Sequence, residues 1–424
     1  MSRIIGLADC NNFFVSCEKV FRPDLSCQPV IVLSNNDGCV ISRSAEVKAL
    51  GIPMGIPLFK ITREIEKHRI AIFSSNFPLY GDMSNRVMHT IKMFCPDMEQ
   101  YSIDEAFFDL TTQPEFTANL KTNGLLLRNY ILRSTGIPVS IAFAPTKTLA
   151  KIGNYYVKKH PLMNGVIDLT NPDDQKKMLH ICPVEEIWGI GKNLSEKLLQ
   201  LKVRTAADLA YGDFGYFSKK FGINMERIIY ELNGSPCYDF AEFPAPRKQI
   251  MDSSTLGKST DNPVIICESI CNHIAQAAEN LRRSNQVSSC LTIFFRGNLY
   301  KSGEKFQCVN ESVAFDTPTS DTRQLLKAGT AIFARFYQKG SIISKTGIIL
   351  SGLTSADAVQ TNLFEQDSID PRRRALMEVM DRINNEKKGK AFLLAQGVKN
   401  LWKSSRQHVS PCYTTRWQDI MHVK

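Results

Sequence analysis

Apolar residues follow two rhythms along this chain, and the alternation between them outlines the fold. Residues 4–8 form a short apolar run closed by Asp9, the pattern of a buried strand. Phe13, Phe14, Cys17, Val20 and Phe21 then recur at helical spacing until Pro23 stops them. Residues 29–33 predict a second buried strand, 35–38 a turn and 44–50 a short helix, before Gly51, Pro53, Gly55 and Pro57 break the pattern. A longer helix is expected over 78–94, with Met83, Val87, Met88 and Ile91 on one side. Two strands should follow, 98–103 and 106–110, leaving only Asp104 and Glu105 for the turn of a tight hairpin. Helix, strand and helix are then expected at 125–132, 139–143 and 147–159, the last stopped by Pro161.

Residues 183–234 change character, to short Leu-, Ile- and Lys-rich helices with Gly189-Ile190-Gly191 between two of them. The stretch 239–246, with two prolines, reads as a linker. Beyond it, 250–257 looks extended, 263–283 helical, 291–295 and 313–315 extended, 321–338 helical and 342–353 extended. The order β-α-β-β-α-β is a split βαβ pattern, a sheet with both helices on one face. After residue 355 the chain turns polar, helical near 372–384 and then irregular, the pattern of a partly ordered tail.

Composition narrows the class. With 424 residues, 43% hydrophobic and 22% charged, the chain is neither a disordered nor a collagen-like polymer, and it has room for two to four packed domains. No apolar run reaches the length of a membrane span, and the opening MSRIIGLADC lacks the features of a signal peptide, so a cytoplasmic protein with no membrane partner is expected. Twelve cysteines are scattered without a C-x-x-C pair. Cys267 and Cys271 read as buried reduced thiols on a helix, and no structural zinc is expected. The net charge of +10 is uneven: residues 1–300 hold 33 Lys and Arg against 30 Asp and Glu, residues 301–424 hold 19 against 12. A basic surface of this kind favours a polyanion, nucleic acid before a membrane face.

The candidate chemistry is carboxylate chemistry. Asp9 closes the first strand, and Asp104-Glu105 sit where two strands meet. Three carboxylates gathered at strand ends would raise one another's pKa, a penalty that a hard divalent cation removes. Two such ions can activate a hydroxyl and stabilise the leaving oxygen in phosphoryl transfer. Spacing alone does not separate this from solvated turn carboxylates.

Longer stretches are more specific. Residues 8–18, Ala-Asp-Cys-Asn-Asn-Phe-Phe-Val-Ser-Cys-Glu, and 101–106, Tyr-Ser-Ile-Asp-Glu-Ala, resemble the two catalytic motifs of the Y-family, translesion DNA polymerases, and within them the UmuC-type catalytic subunits of bacterial DNA polymerase V. Residues 33–40, 74–76, 83–88, 146–151 and 410–416 extend the resemblance over essentially the whole chain.

The resemblance implies error-prone, template-directed DNA synthesis across damaged template, as part of the SOS response, by two-metal nucleotidyl transfer from dNTPs to a primer 3′-hydroxyl. Asp9, Asp104 and Glu105 would be catalytic and would hold two Mg²⁺ ions, with the backbone carbonyl of Cys10 a further ligand. Phe14 falls at the steric-gate position, where a ring beneath the sugar leaves no room for a 2′-OH. Asn12, Phe13, Lys48 and Lys158 would face the triphosphate; Lys48 stands where many relatives carry arginine, Ala45 where archaeal relatives carry tyrosine, and Asn11 where Asp is frequent. Gly189, Gly191 and Lys192 fit a helix-hairpin-helix, whose backbone amides take a DNA phosphate. Gln360, Leu363 and Phe364 resemble a sliding-clamp peptide.

The expected architecture is α+β and multidomain. It comprises a palm with a ferredoxin-like sheet over 1–30 and 75–167, small fingers over 31–74 and a helical thumb over 168–238. A split βαβ little finger over 247–354 and a C-terminal partner-binding tail over 355–424 complete it. Primer-template DNA, dNTP, a UmuD-type dimer, a RecA filament and the sliding clamp are the implied partners. A DNA-binding scaffold without turnover and a nucleotidyl cyclase are the readings from other classes. The intact acidic set argues against the first, and the thumb, little finger and clamp peptide against the second.

Overall fold

A computed structural model describes residues 3–240, 247–298, 305–358, 371–386 and 406–421. The chain divides into two compact units, one of residues 1–34, 38–244 and 408–424, the other of 35–37 and 245–407.

The first unit is built on a five-stranded sheet whose central strand is Ile5–Cys10. It pairs antiparallel with Glu105–Asp109 on one side and Val139–Ala144 on the other; Met98–Gln100 and Val166–Asp168 form the edges. Alternate side chains of a strand point to opposite faces, and both faces here are apolar. Ile5, Leu7, Phe107, Ala142 and Ala144 pack with Leu149, Ala150, Ile152 and Val157 of the helix Lys147–Lys159. Ala8, Ala106, Phe108, Ile141 and Phe143 pack with Leu79, Val87 and Ile91 of the helix Phe77–Phe94, and with Leu127 and Ile131 of the helix Leu120–Thr135. Asp9 and Glu105 belong by alternation to the face of Ile5 and Leu7, the face covered by Lys147–Lys159.

A three-stranded sheet of Val40–Arg43, Val30–Leu33 and Ala71–Ser74 has its own small core around Ile31, Val47, Ile61 and Ile70. A group of short helices follows residue 170 and buries Leu179, Leu198, Phe217 and Ile228 in one cluster with the Ile5 and Leu7 face of the five-stranded sheet.

The second unit is a four-stranded antiparallel sheet in the order Cys308–Thr319, Gln286–Arg296, Ile343–Ser355, Gln249–Thr260. Each β-α-β connection spans a strand supplied by the other, so the two units of the split βαβ are interleaved, and their first strands lie at the edges. The helices Pro263–Arg283 and Thr322–Phe336 share one face and one core, with Ile266, Ile270, Ile274, Leu325 and Phe333 against Leu291, Ile293 and Ile348. The helix Pro371–Glu386 is tied here by Arg282, whose guanidinium donates twice to Asp381 at 2.6 Å. The segment Gln360–Phe364 lies outside the described residues.

One expectation is corrected. The hairpin tip is not the pair Asp104-Glu105: the first strand ends at Gln100, residues 101–104 form the loop, and Glu105 opens the second strand. The reason is the pairing with the central strand, which captures Glu105 opposite Asp9.

Candidate active site

The central strand places Asp9 between two partners of known register, Glu105 on one side and Ser140 on the other. Asp9 and Glu105 are directly opposed and share a face, so their carboxyl groups meet and share a hydrogen bond. Burial pushes the Asp9 carboxyl up to about 7; Lys158 pulls against this, and the hydrogen bond and charge of Glu105 add to it. Glu105 is pushed up by its own burial, but the hydrogen bonds from Asp9 and Lys151 outweigh that and hold it below the ordinary glutamate value.

Asp104 sits differently. Its carbonyl accepts the Cys10 amide at 2.8 Å, locking the loop onto the end of the central strand, while its carboxylate accepts the Ser102 hydroxyl at 2.6 Å. Among the described residues no three acidic, histidine or cysteine side chains are drawn together as a metal cluster. The structure gathers Asp9 and Glu105 and leaves the Asp104 side chain turned to Ser102.

What stands opposite the acidic pair is a stripe of lysines on one helix. Lys147, Lys151 and Lys158 are four and seven residues apart, the spacing that keeps them on one side. Lys158 ion-pairs with Asp9, Lys151 with Glu105 at 2.6 Å, and Lys147 with Glu99 at 2.5 Å. Lys151 also lies over the ring of Tyr101, 4.7 Å from its centre, and Tyr101 accepts a hydrogen bond from the Trp188 indole at 3.2 Å. The loop before Asp104 is therefore held from its far side. The donor set suits magnesium: hard carboxylate oxygens, one of them desolvated enough to take a proton in place of a cation, with ammonium groups resting on both.

The basic rim is wider than sequence spacing suggests. Lys48, on the short helix Ala45–Ala49, has its ammonium pulled down first by desolvation and then by Lys158 and Arg43. Arg43 ends its strand with one guanidinium nitrogen bonded to the Ile52 carbonyl and its buried Nε without a partner. Arg43 and Lys151 are the residues the sequence reading missed. The seven-residue step from Lys151 to Lys158 is a signal that could have found one of them; Arg43 has none, because it depends on the tertiary approach of a separate sheet.

The helix Phe13–Phe21 starts at Asn12, which takes a left-handed conformation at φ 50° and accepts the Ser16 amide at 2.9 Å through its carbonyl. Phe13 turns inward and is buried in the core, so only its backbone is available to a ligand. Phe14 is half-buried and stacks on Tyr80, with ring centres 4.7 Å apart and planes 18° apart; Phe77 meets it edge-on at 6.0 Å.

At the other candidate contact, Gly189 has φ +92° and Gly191 caps the helix Lys192–Gln200, with Lys192 exposed at its first position. Ile190 between the glycines is buried, which turns the glycine backbone outward.

Comparison with known proteins sets these features in a class. The fold is that of a Y-family DNA polymerase: a solved Y-family chimera, Dbh-Dpo4(243-245)-Dbh, superposes with a TM-score of 0.65 at 21% identity, covering 83% of this chain and 99% of that one. Residues 8–154 match the impB/mucB/samB family, residues 247–363 its C-terminal domain, and residues 374–423 a domain of unknown function (DUF4113). Protein UmuC of Salmonella typhimurium is 38% identical over 99% of this chain and 100% of its own length, and Protein SamB of the same organism is 39% identical over 99% and 100%. DNA polymerase IV 1 of Bacillus subtilis is 25% identical over 91% of each chain.

The chain belongs to the impB/mucB/samB family, the UmuC-type branch of the Y-family polymerases. It is a DNA-directed DNA polymerase of translesion synthesis in the SOS response, and membership implies Mg²⁺-dependent catalysis on DNA and dNTP. No helix among the described residues is long and apolar enough to cross a membrane.

Proposed function

We propose that Asp9, Asp104 and Glu105 hold two Mg²⁺ ions, with the Cys10 carbonyl as a further ligand. The observation that carries this is the register pairing of Asp9 with Glu105, which buries two carboxyl groups side by side beneath lysines. When bound, the ions supply activation of the primer hydroxyl and neutralisation of the triphosphate. The chain's own residues do the rest. Lys158, Lys48 and Arg43 offer positive charge where the triphosphate must lie; Lys48 does so as a point charge without a bidentate fork. Asn12 and the Phe13 backbone shape the start of the pocket. Phe14 lies flat on Tyr80 and closes the space a 2′-hydroxyl would need.

Residues 1–30 and 75–167 act as palm, 31–74 as fingers, 168–238 as thumb, 247–354 as little finger and 355–424 as partner-binding tail. Gly189, Gly191 and Lys192 take a DNA phosphate irrespective of base, since a backbone amide reads no sequence. Gln360, Leu363 and Phe364 bind the sliding clamp, and a UmuD-type dimer and a RecA filament are the activating partners, at work on DNA in the cytoplasm.

The test is primer extension across a defined abasic site with Mg²⁺ and dNTPs, with and without the clamp. Asp104→Ala should abolish extension, a loss of at least about three orders of magnitude for a group that offsets transition-state charge, while DNA binding persists. Extension retained by the variant would remove Asp104 from the metal site.

A further inference from the structure

The C-terminal residues of the first unit are fastened to the strand Ala71–Ser74, to the helix Phe13–Phe21 and to the cap of the helix Phe77–Phe94. His408 accepts the Ser74 amide at 2.9 Å through its carbonyl and donates its own amide to the Ser74 hydroxyl at 3.0 Å. Asn76, which caps the helix Phe77–Phe94, donates its side-chain amide to the Ser410 hydroxyl at 2.9 Å and to the carbonyls of Ser410 and Pro411 at 3.1 and 3.2 Å. Tyr413 stacks on Phe21 with ring centres 4.6 Å apart. At the centre is Glu18, fully buried on the helix Phe13–Phe21. One of its oxygens accepts both the Tyr80 hydroxyl at 2.6 Å and the Ser410 hydroxyl at 3.0 Å; the other has no partner.

These contacts form a line from the C-terminal segment to the candidate gate. Ser410 and Tyr80 share one carboxylate oxygen, and Tyr80 is the ring on which Phe14 lies. A buried carboxyl group with only two donors has none to spare, so removing one shifts the demand to the other. The other donor is Tyr80, and Phe14 lies on its ring, so a change at Glu18 reaches Phe14 through Tyr80.

We propose that Ser410, acting through Glu18 and Tyr80, is a positioning residue for Phe14, and that the C-terminal segment thereby sets how strictly the pocket excludes the 2′-hydroxyl of a ribonucleotide. This gives a role to part of the stretch that matches a domain of unknown function. It rests on the reading of Phe14 as the sugar gate.

The experiment compares a deoxynucleoside triphosphate with the matching ribonucleoside triphosphate in the full-length chain on primer-template DNA, by insertion efficiency and by equilibrium binding. Ser410→Ala should lower the preference for the deoxy form about tenfold, the ratio one buried charge-assisted hydrogen bond commands, while deoxynucleotide efficiency changes by less than about threefold. Tyr80→Phe, which keeps the stacked ring and loses the hydroxyl, should move the preference the same way and stands in should Ser410→Ala not fold. Combined with Phe14→Ala, neither change should add to its effect.

An unchanged preference in both Ser410→Ala and Tyr80→Phe, or a lowered melting temperature and rate at constant preference, overturns the positioning role. Should Phe14→Ala itself leave ribonucleotides excluded, the gate reading fails and this inference with it. Should Phe14→Ala admit them while the other two variants do not, the positioning role alone fails.

Discussion

Asp9 is the residue at which folding and catalysis pull in opposite directions. Burial lifts its carboxyl to about 7, against an ordinary value of 3.8. In the metal-free protein the folded state therefore binds more protons at Asp9 than the unfolded state across the interval between those values. Stability from this group is complete below about pH 4 and is lost as pH rises through about 7, by roughly 2–4 kcal/mol. Magnesium needs the ionised carboxylate and reverses the sign, stabilising more as pH rises. Thermal melts in chelator should show a decline between pH 5 and 7.5 that Asp9→Asn flattens and that added Mg²⁺ cancels. A decline equally steep in Asp9→Asn would place its origin elsewhere. Lys158 pulls the Asp9 carboxyl down but does not outweigh its burial.

At the scale of the element, the hairpin carrying Gly189 and Gly191 separates backbone strain from ligand contact. Gly189 has φ +92°, and a Cβ there would stand 3.1 Å from the Ile228 side chain; Gly191 has φ −84° and open space around it. Gly189→Ala should cost about 1–2 kcal/mol, since an L-residue is strained in the left-handed region. Gly191→Ala replaces an N-cap glycine of ordinary φ and should cost less, under about 1 kcal/mol, and yet weaken DNA binding, because the added methyl stands where a phosphate would approach. Equal DNA affinity of Gly191→Ala and the parent would take the hairpin out of the DNA interface. The same elements show what was legible in the sequence. The helices Lys147–Lys159 and Pro263–Arg283 match the pattern to the residue, because local chemistry marks their ends: Thr146 and Asn262 cap them with side-chain oxygens, and Pro161 follows the first. The strands Val40–Arg43, Ala71–Ser74 and Val166–Asp168 were not legible, being three or four residues long and too short to show a period. Glu105 reads from sequence as a turn residue because nothing local says that a strand almost a hundred residues earlier will pair with it. Motif resemblance marks the acidic trio, whereas its lysine counterparts follow from helix periodicity once the sheet is known.

At the scale of the whole molecule, the C-terminal residues read from sequence as a partly ordered tail, and the contacts that seat them join positions more than three hundred residues apart. No local pattern announces such an arrangement: Ser410, Pro411 and Cys412 have neither helical nor strand periodicity, and the burial of Ser410 depends on Asn76 and Glu18, groups from distant parts of the chain. Without His408, Ser410 and Pro411 the Asn76 amide and the Ser74 amide and hydroxyl lose these partners, and the bonded oxygen of Glu18 keeps only the Tyr80 hydroxyl. Deleting residues 406–424 should therefore cost the first unit at least about 2–4 kcal/mol, some of each lost hydrogen bond being recovered by water. For a unit of this size that corresponds to a fall of about 5–15 °C in its melting temperature. Scanning calorimetry of the truncated and complete chains makes the comparison, and Asn76→Ala in the complete chain should reproduce part of the fall. A truncated chain that melts at the parental temperature would mean that the segment is not seated in solution, and Asn76→Ala would then be expected to cost only the helix cap. If the fall is seen, the C-terminal segment is a structural member of the catalytic unit, and a change anywhere along it acts on the same pocket that selects the incoming sugar.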